Sequence, residues 1–479
     1  MSVLGPLTSE LDRISPRFEV SASQIQVLKS PSDFYDALKE KIAKAQKRIF
    51  LSTLYVGKTE KELISTIYNA LERNPDLQVS ILTDALRGTR EAPDPSCASL
   101  LAPLIAKFGD RVEIRMFHTP NLTGLRKSVI PRRINEGWGL QHMKLYGVDD
   151  ELIMSGANLS MDYFTNRQDR YHVFSSKQVT DYFKKIHDAV SSVSFQILPS
   201  DSDPSGFTMS WPTATTCPSP LENPKAFKTH CTKLLNPLIA PPTTQPAPSP
   251  EIDTLIYPLL QFTPLLTPDA STELPALSTL LTTLATIPRF HHSSWTFTAG
   301  YFNMTPHVQS LLFATRPSRA TVLAASPHAN GFYNSRGVSG LLPPAYTLLC
   351  RRFLDALAGA GLSSSIQLKE WRRGTVNEPG GWTYHAKGLW VTLPRETAPC
   401  VSLVGSSNYT KRSYSLDLEA NALVVTRNEG LMRRLGEEEL WLQEYATTMK
   451  REDYARVERR VGLHVRVAMW IVTVLGGAL

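Results

Sequence analysis

The sequence predicts an α/β fold built twice: two pseudo-twofold-related lobes forming a duplicated α/β sandwich, with an active site where the lobes meet. Three observations carry this expectation. The order of helical and strand-like segments in the first half returns in the second. The pattern Gln141-His142-Met143-Lys144 returns as Tyr384-His385-Ala386-Lys387. After each copy an Asn is followed by an acid at one offset, Asn158 to Asp169 and Asn408 to Glu419, 11 positions in both (158 to 169, 408 to 419). An ordered set that recurs within one chain marks an internal repeat.

In the first half, Ser32 reads as an N-cap, and Phe34, Leu38 and Ile42 recur on one helix face. A buried strand is expected over Arg48–Gly57, then a helix over 60–73, a strand over 77–85, a helix over 97–108 and a strand over 111–117. The His142 strand, a strand at Glu151–Ser155, another at 171–176 and a helix to 194 complete the set. The second half repeats the order. A helix over 275–287 leads to a strand at 294–302, a helix at 306–315, a strand at 320–326, a helix at 343–359 and a strand at 366–371. The His385 strand, strands at 400–405 and 419–425, and a helix from 428 follow. Between the halves, 198–273 is rich in Pro, Ser and Thr and includes PPTTQPAPSP, which predicts a linker or irregular insertion without core elements. The expected units are therefore a first lobe at 1–197, this segment at 198–273, a second lobe at 274–450 and a tail at 451–479.

The 479 residues suffice for two or three domains with cores of their own. A net charge of +7 suits an anionic partner: nucleic acid, acidic lipid or a phosphorylated metabolite. The five cysteines (97, 217, 231, 350, 400) lack C-x-x-C spacing and read as free thiols, neither a disulfide frame nor a zinc site. No apolar run reaches the ~20 residues of a transmembrane helix. Glu10, Asp12 and Glu19 are out of keeping with an acid-poor mitochondrial presequence.

Side chains two apart on a strand share a face, so each His-x-Lys presents an imidazole and an ammonium together. Two such pairs facing one another supply a nucleophile, a general acid/base and two cations, a set suited to a phosphate ester. A carboxylate at a fixed offset sets the tautomer and orientation of a catalytic His. Two buried strands with satisfied histidines would have no reason to repeat the downstream Asn and acid.

The motif H-x-K-x4-D followed by G-S-x-N resembles the signature of the phospholipase D superfamily. Within it, the chain is similar to the eukaryotic mitochondrial phosphatidylglycerophosphate synthase family. SQIQVLKSP (Ser23–Pro31), GANLSMDYFTNRQDRY (Gly156–Tyr171), TAGYFNMT (Thr298–Thr305), GWTYHAKGLW (Gly381–Trp390) and GSSNYTKRSYSLDLEANALV (Gly405–Val424) carry this closer likeness. Two departures stand out: Thr392 replaces the motif Asp of the second copy, and Ser155-Gly156 reverses Gly-Ser in the first. The resemblance implies a phospholipase D-like fold and transfer of a phosphatidyl group from CDP-diacylglycerol to glycerol 3-phosphate through a phosphatidyl-histidine. It implies catalytic roles for His142, Lys144, Asn158, Asp169, His385, Lys387, Asn408 and Glu419, with Asp149 and Ser406 in support. It places the nucleophile on His142, asks for no metal or cofactor, and implies a peripheral enzyme on the matrix side of the mitochondrial inner membrane, with no nucleic-acid partner. Oligomeric state is left open. A nuclease or phosphodiesterase of the same superfamily, or a catalytically silent scaffold, are the alternatives.

Loop 118–140 carries Arg126, Lys127, Arg132 and Arg133 just ahead of the first His. Arg132 and Arg133, with Arg412 close to Asn408, are the candidate anion-binding residues. Arg167, Lys411, Arg372 and Arg373 are weaker candidates. Tyr55 and Tyr301 end matching strands, where packing in the core is the plainer role. The tail sets an uncharged run after Arg466, including Trp470, behind an arginine-rich segment, which fits docking on an anionic membrane surface; a final helix packed on the core, or a subunit contact, is the alternative.

Overall fold

The computed structural model describes residues 2–474, apart from Arg132, Arg133, 246–248 and Pro250, with side chains described to Trp470. Two nine-stranded sheets organise it. The first runs Phe207–Ser210, Phe195–Pro199, Val112–Phe117, Gln78–Asp84, Arg48–Ser52, Leu145–Val148, Glu151–Ser155, Tyr171–Phe174, Ile25–Leu28. The second runs Phe18–Val20, Thr254–Gln261, Glu419–Thr426, Val401–Gly405, Lys387–Thr392, Ser294–Ala299, Ala320–Ala325, Ile366–Trp371, Ala446–Met449. Eight strands correspond across the two. In each sheet three parallel strands adjoin an antiparallel set that begins with the strand following the His.

Both faces of each sheet are buried, which is why the parallel strands read as continuous apolar runs. Helices Pro31–Lys44, Lys61–Arg73 and Cys97–Phe108 cover the outer face of the first sheet. Helices Gly5–Leu11, Glu273–Thr286, Pro306–Ala314 and Leu342–Gly359 cover that of the second. The inner faces meet around helices Lys177–Ser192, Pro224–Ile239 and Glu429–Trp441 in one shared core. Burying this core fixes the lobes against each other, so a cleft between them has rigid walls.

Several expectations need correction. The stretch 198–273 is not all linker. Thr254–Gln261 is a wholly buried strand, paired with Glu419–Thr426 over eight positions, and corresponds to Ile25–Leu28 of the first lobe. Its apolar run TLIYPLLQ was masked by Pro-rich neighbours. Phe195–Pro199 and Phe207–Ser210 form a hairpin, and Pro224–Ile239 is a helix of the shared core. The chain also starts on the second lobe: Leu4, Leu7 and Leu11 join its outer core, and Phe18–Val20 pairs with the start of Thr254–Gln261. The first helix is capped by Ser30, not Ser32. The Ser30 Oγ accepts from Asp33 N at 3.1 Å and Asp33 returns a bond to Ser30 N at 2.9 Å. A further strand, Ala446–Met449, follows the helix after 428. All five cysteines are free and buried. Among the described residues no helix is long and apolar enough to cross a membrane.

Candidate active site

Each His-x-Lys stands at the entrance of a strand and not inside one: Lys144 precedes Leu145–Val148, and Lys387 opens Lys387–Thr392. The residues ahead of each strand cross to the other lobe. Gln141 bridges to Leu418 in parallel, and His142 N donates to Leu418 O at 2.9 Å. Thr383–Tyr384 pairs in parallel with Arg167–Gln168, and His385 N donates to Gln168 O at 2.8 Å. The acid of each lobe is the next residue along, Glu419 after Leu418 and Asp169 after Gln168. The carboxylates are therefore exchanged between lobes. His142 Nδ1 lies 2.9 and 3.0 Å from the Glu419 oxygens, and His385 Nδ1 lies 2.7 Å from Asp169 Oδ2. A proton held on Nδ1 by a carboxylate leaves Nε2 with its lone pair free.

Lys144 and Lys387 are fully buried, and each ammonium donates to the carbonyl of its own His at 2.7 Å. Lys387 also stands 2.8 Å from His385 Nδ1 and 3.5 Å from Asp169 Oδ2. Burial, then the neighbouring lysines, pull both imidazoles well below the ordinary 6.5. Burial also lowers both lysines, against the pull of the carboxylates. Glu419 is pushed up to about 7 by burial, despite Lys144 and a bond from Ser406; burial raises Asp169 too. Two neutral imidazoles beside two close-set ammonium groups suit the binding of a phosphate group.

Asn158 Nδ2 donates to Tyr163 OH at 3.2 Å. The Oδ1 atoms of Asn158 and Asn408 are buried without a hydrogen-bond partner among the described residues. Ser406 Oγ donates to Glu419 Oε2 at 2.5 Å. In the first copy Gly156 holds the equivalent place. A Cβ there would lie 2.5 Å from Lys387 Nζ and 2.8 Å from both Asp169 oxygens, so the reversed Ser-Gly makes room for that ammonium and carboxylate. Ser155 turns away and donates to Arg170 O at 2.6 Å. Asp149 lies at the far end of its strand, where it accepts from the backbone N of Gln46, Lys47 and Arg48 at 2.9, 2.7 and 3.1 Å. It holds a turn there, and Thr392 stands at the matching far end of Lys387–Thr392.

Arg412 is tied to Asp417 at 2.7 Å, and Asp417 also accepts from Leu140 N at 2.9 Å, beside His142. Arg132 and Arg133 lie outside the described residues. Arg372 bonds Gly374 O and Arg373 stacks on Trp382, which makes both loop residues. Arg167 ion-pairs with Asp162 at 2.7 Å and covers Tyr163 at 4.5 Å. Positions 162 and 167 correspond to 412 and 417, so the two lobes carry one ion pair with its charges reversed.

Sequence reasoning missed Tyr163, Ser413 and Arg170, and favoured the core over the cleft for Tyr301. Tyr163 OH lies 3.4 Å from His385 Nε2, and Ser413 holds its place in the second copy, bonding Asn408 N at 3.2 Å. The common offset from the Asn was the available signal. Tyr301, expected in the core, meets His385 edge-on at 5.2 Å. Arg170, next to Asp169, reaches across the lobes. It bonds Glu438 at 3.0 and 2.8 Å, Leu403 O at 2.6 Å and Ser402 Oγ at 2.7 Å, and lies 3.8 Å over Trp390. Gly388 makes room for it: a Cβ there would be 1.8 Å from Arg170 Nη1.

The chain is similar to known proteins over most of its length. The profile of the family described as "Cardiolipin synthase, PLD-like domain" matches residues 38–190. The chain is 44% identical over 98% of its length, and 91% of the relative's, to CDP-diacylglycerol–glycerol-3-phosphate 3-phosphatidyltransferase of Saccharomyces cerevisiae. It is 35% identical, covering 94% of this chain and 83% of the relative, to the human protein of that name, called mitochondrial. Among solved structures, phosphatidylserine synthase from Haemophilus influenzae superposes with a TM-score of 0.73 over 98% of this chain and 97% of that one. At 19% identity, that likeness speaks for the fold alone.

Proposed function

The chain belongs to the CDP-diacylglycerol–glycerol-3-phosphate 3-phosphatidyltransferase family, and on that premise we propose how its site carries the reaction. The enzyme converts CDP-diacylglycerol and glycerol 3-phosphate to phosphatidylglycerophosphate and CMP. In the proposed route, His142 Nε2 attacks the lipid-side phosphorus. The P–N bond forms as the pyrophosphate P–O bond breaks, and CMP departs with that electron pair as a phosphate that needs no proton. His385 Nε2 then takes the proton of a glycerol 3-phosphate hydroxyl. The hydroxyl oxygen bonds to phosphorus, the P–N bond breaks, His142 returns neutral, and His385 gives up its proton to water before the next turnover. Lys144, Lys387, Asn158 and Asn408 hold the non-bridging oxygens, whose charge grows in both transition states.

The observation that carries this reading is the crossed pairing of His142 with Glu419 and His385 with Asp169. It gives both rings the same Nδ1-protonated tautomer, so one is ready as nucleophile and the other as base. Burial that keeps both imidazoles neutral supplies the starting state the route needs. A product assay with labelled CDP-diacylglycerol and a panel of acceptors tests it: phosphatidylglycerophosphate should dominate, and hydrolysis to phosphatidate in its place would sink the reading.

A lipid-tailed donor brings the enzyme to a membrane, and we place it peripherally on the matrix side of the mitochondrial inner membrane. Leu463, Val467 and Trp470 recur along one face of helix Leu463–Val474 and are exposed, while Val465 and Met469 pack on Ala345 and Leu348. Leu125 and Val129, also exposed, follow strand Val112–Phe117 at the end of the sheet that carries the histidines. Arg126 and Arg466 lie among them, matching an anionic surface.

A further inference from the structure

A cavity of about 570 Å³ opens in the first lobe, walled by Tyr55, Lys58, Arg87, Ser160, Asp162 and Asn166 among others. Its lining comes from turns at the ends of the parallel strands Arg48–Ser52 and Gln78–Asp84, and from the segment after Asn158. A chain of contacts joins it to the second histidine. The Arg87 guanidinium lies 4.1 Å over the Tyr55 ring, and Tyr55 OH is 3.4 Å from Ser160 Oγ. Ser160 bonds Asp162 at 2.6 Å, Asp162 pairs with Arg167, and Arg167 covers Tyr163, whose hydroxyl reaches His385 Nε2.

We propose that this cavity seats the acceptor, its phosphate between Arg87 and Lys58 and its hydroxyls on Ser160, Asp162 and Asn166. The inference rests on the reaction proposed above. If His142 holds the phosphatidyl group, the acceptor hydroxyl has to arrive at His385, the ring on which this wall of contacts ends. The lining is mixed: cations for a dianion, and a carboxylate, a hydroxyl and an amide for hydroxyl donors. That mixture fits a phosphorylated polyol and suits an uncharged polyol or an amino alcohol poorly. Every acid of the wall has a partner, Glu60 in Met161 N at 2.7 Å, Asp162 in Ser160 and Arg167, and Glu91 in Arg87 at 3.1 Å, so an entering phosphate has to draw Arg87 from Glu91. The nucleotide is also a phosphorylated polyol, but its phosphate is the leaving group and must sit at the reacting centre. The acceptor's phosphate is set off from its reacting oxygen by the glycerol chain, which takes it off the reacting centre toward the wall that Tyr163 and Arg167 join to the cavity.

The two half-reactions separate these cases. Exchange of labelled CMP into CDP-diacylglycerol needs no acceptor, whereas transfer does. In Arg87→Gln, KM for glycerol 3-phosphate should rise about tenfold or more, while the exchange rate and KM for CMP stay within about twofold. Lys58→Gln is exposed and leaves the fold alone; it should raise the same KM about threefold. Arg87→Gln should also lose the preference for glycerol 3-phosphate over glycerol. An unchanged acceptor KM in both variants would overturn the proposal. So would a rise in KM for CMP, which would mark a nucleotide seat, or an equal loss of exchange and transfer. A wild-type enzyme without exchange would instead strike the histidine mechanism.

Discussion

The two halves of the site come from one motif, yet they differ where chemistry would feel it. His142 meets both oxygens of Glu419, which Ser406 steadies from behind. His385 meets one oxygen of Asp169, shares its Nδ1 with Lys387, and is flanked by Tyr163 and Tyr301. Nδ1 of His385 cannot serve both: once it donates to Asp169, Lys387 has to turn toward an entering phosphate. Around the rings the ion pair at matching positions is reversed, Asp162–Arg167 on one side and Arg412–Asp417 on the other. Duplication supplies two imidazoles; in the proposed route, divergence around them would set one as nucleophile and the other as base.

The largest way to break the comparison is to remove either ring. His142→Ala and His385→Ala should each lower kcat by about a thousandfold or more without unfolding, because nucleophile and base act as a unit. Steady-state rates and circular dichroism check this; more than about a tenth of wild-type kcat in either variant would contradict it.

The crossed carboxylates are tested next. Glu419→Gln should lower kcat by about a hundredfold and shift the ring resonances of His142 alone, while Asp169→Asn should do the same to His385. Nitrogen-resolved spectra of labelled histidines read this directly. Effects on the His of the same lobe would mean that the exchange between lobes is wrong.

Smaller effects sharpen the asymmetry. Gly156→Ala forces Lys387 and Asp169 apart and should cost about tenfold or more in kcat, whereas Ser406→Ala removes one bond to Glu419 and should cost about fivefold. Equal effects would mean the two half-sites are interchangeable.

Arg170 and Glu438 should report on stability before rate. Burial alone would raise Glu438, but Arg170 and His172 outweigh it and hold it at about 2, against an ordinary 4.5. The unfolded chain therefore takes up this proton first. The contribution, on the order of 3 kcal/mol, is complete above about pH 4.5 and lost as pH falls toward 2. Glu438→Gln should lower stability at pH 7 and flatten the acid limb of a denaturation profile; an unchanged limb would contradict the assignment.

Much of this arrangement was legible in the residues. The repeated His, Lys, Asn and acid named the chemistry, and the repeated element order named the fold. The exchange of carboxylates was not legible, because an offset of 11 residues says which repeat owns an acid and not which ring it meets. That depends on the short parallel pairings of Gln141 with Leu418 and Tyr384 with Gln168, which exist only once the lobes pack. Thr254–Gln261 was hidden by composition: eight apolar-leaning residues between Pro-rich segments carry little signal alone, although their counterpart Ile25–Leu28 opens the same unit in the first lobe. Arg170 looked like any arginine, since its partners lie more than 200 positions away in Leu403 and Glu438.

The central claim, that His142 carries the phosphatidyl group between donor and acceptor, is met most directly by isotope exchange. Labelled CMP should enter CDP-diacylglycerol with no acceptor present, and His142→Ala should abolish this. An enzyme active in the full reaction that shows no exchange, or a His142→Ala variant that still exchanges, would contradict it.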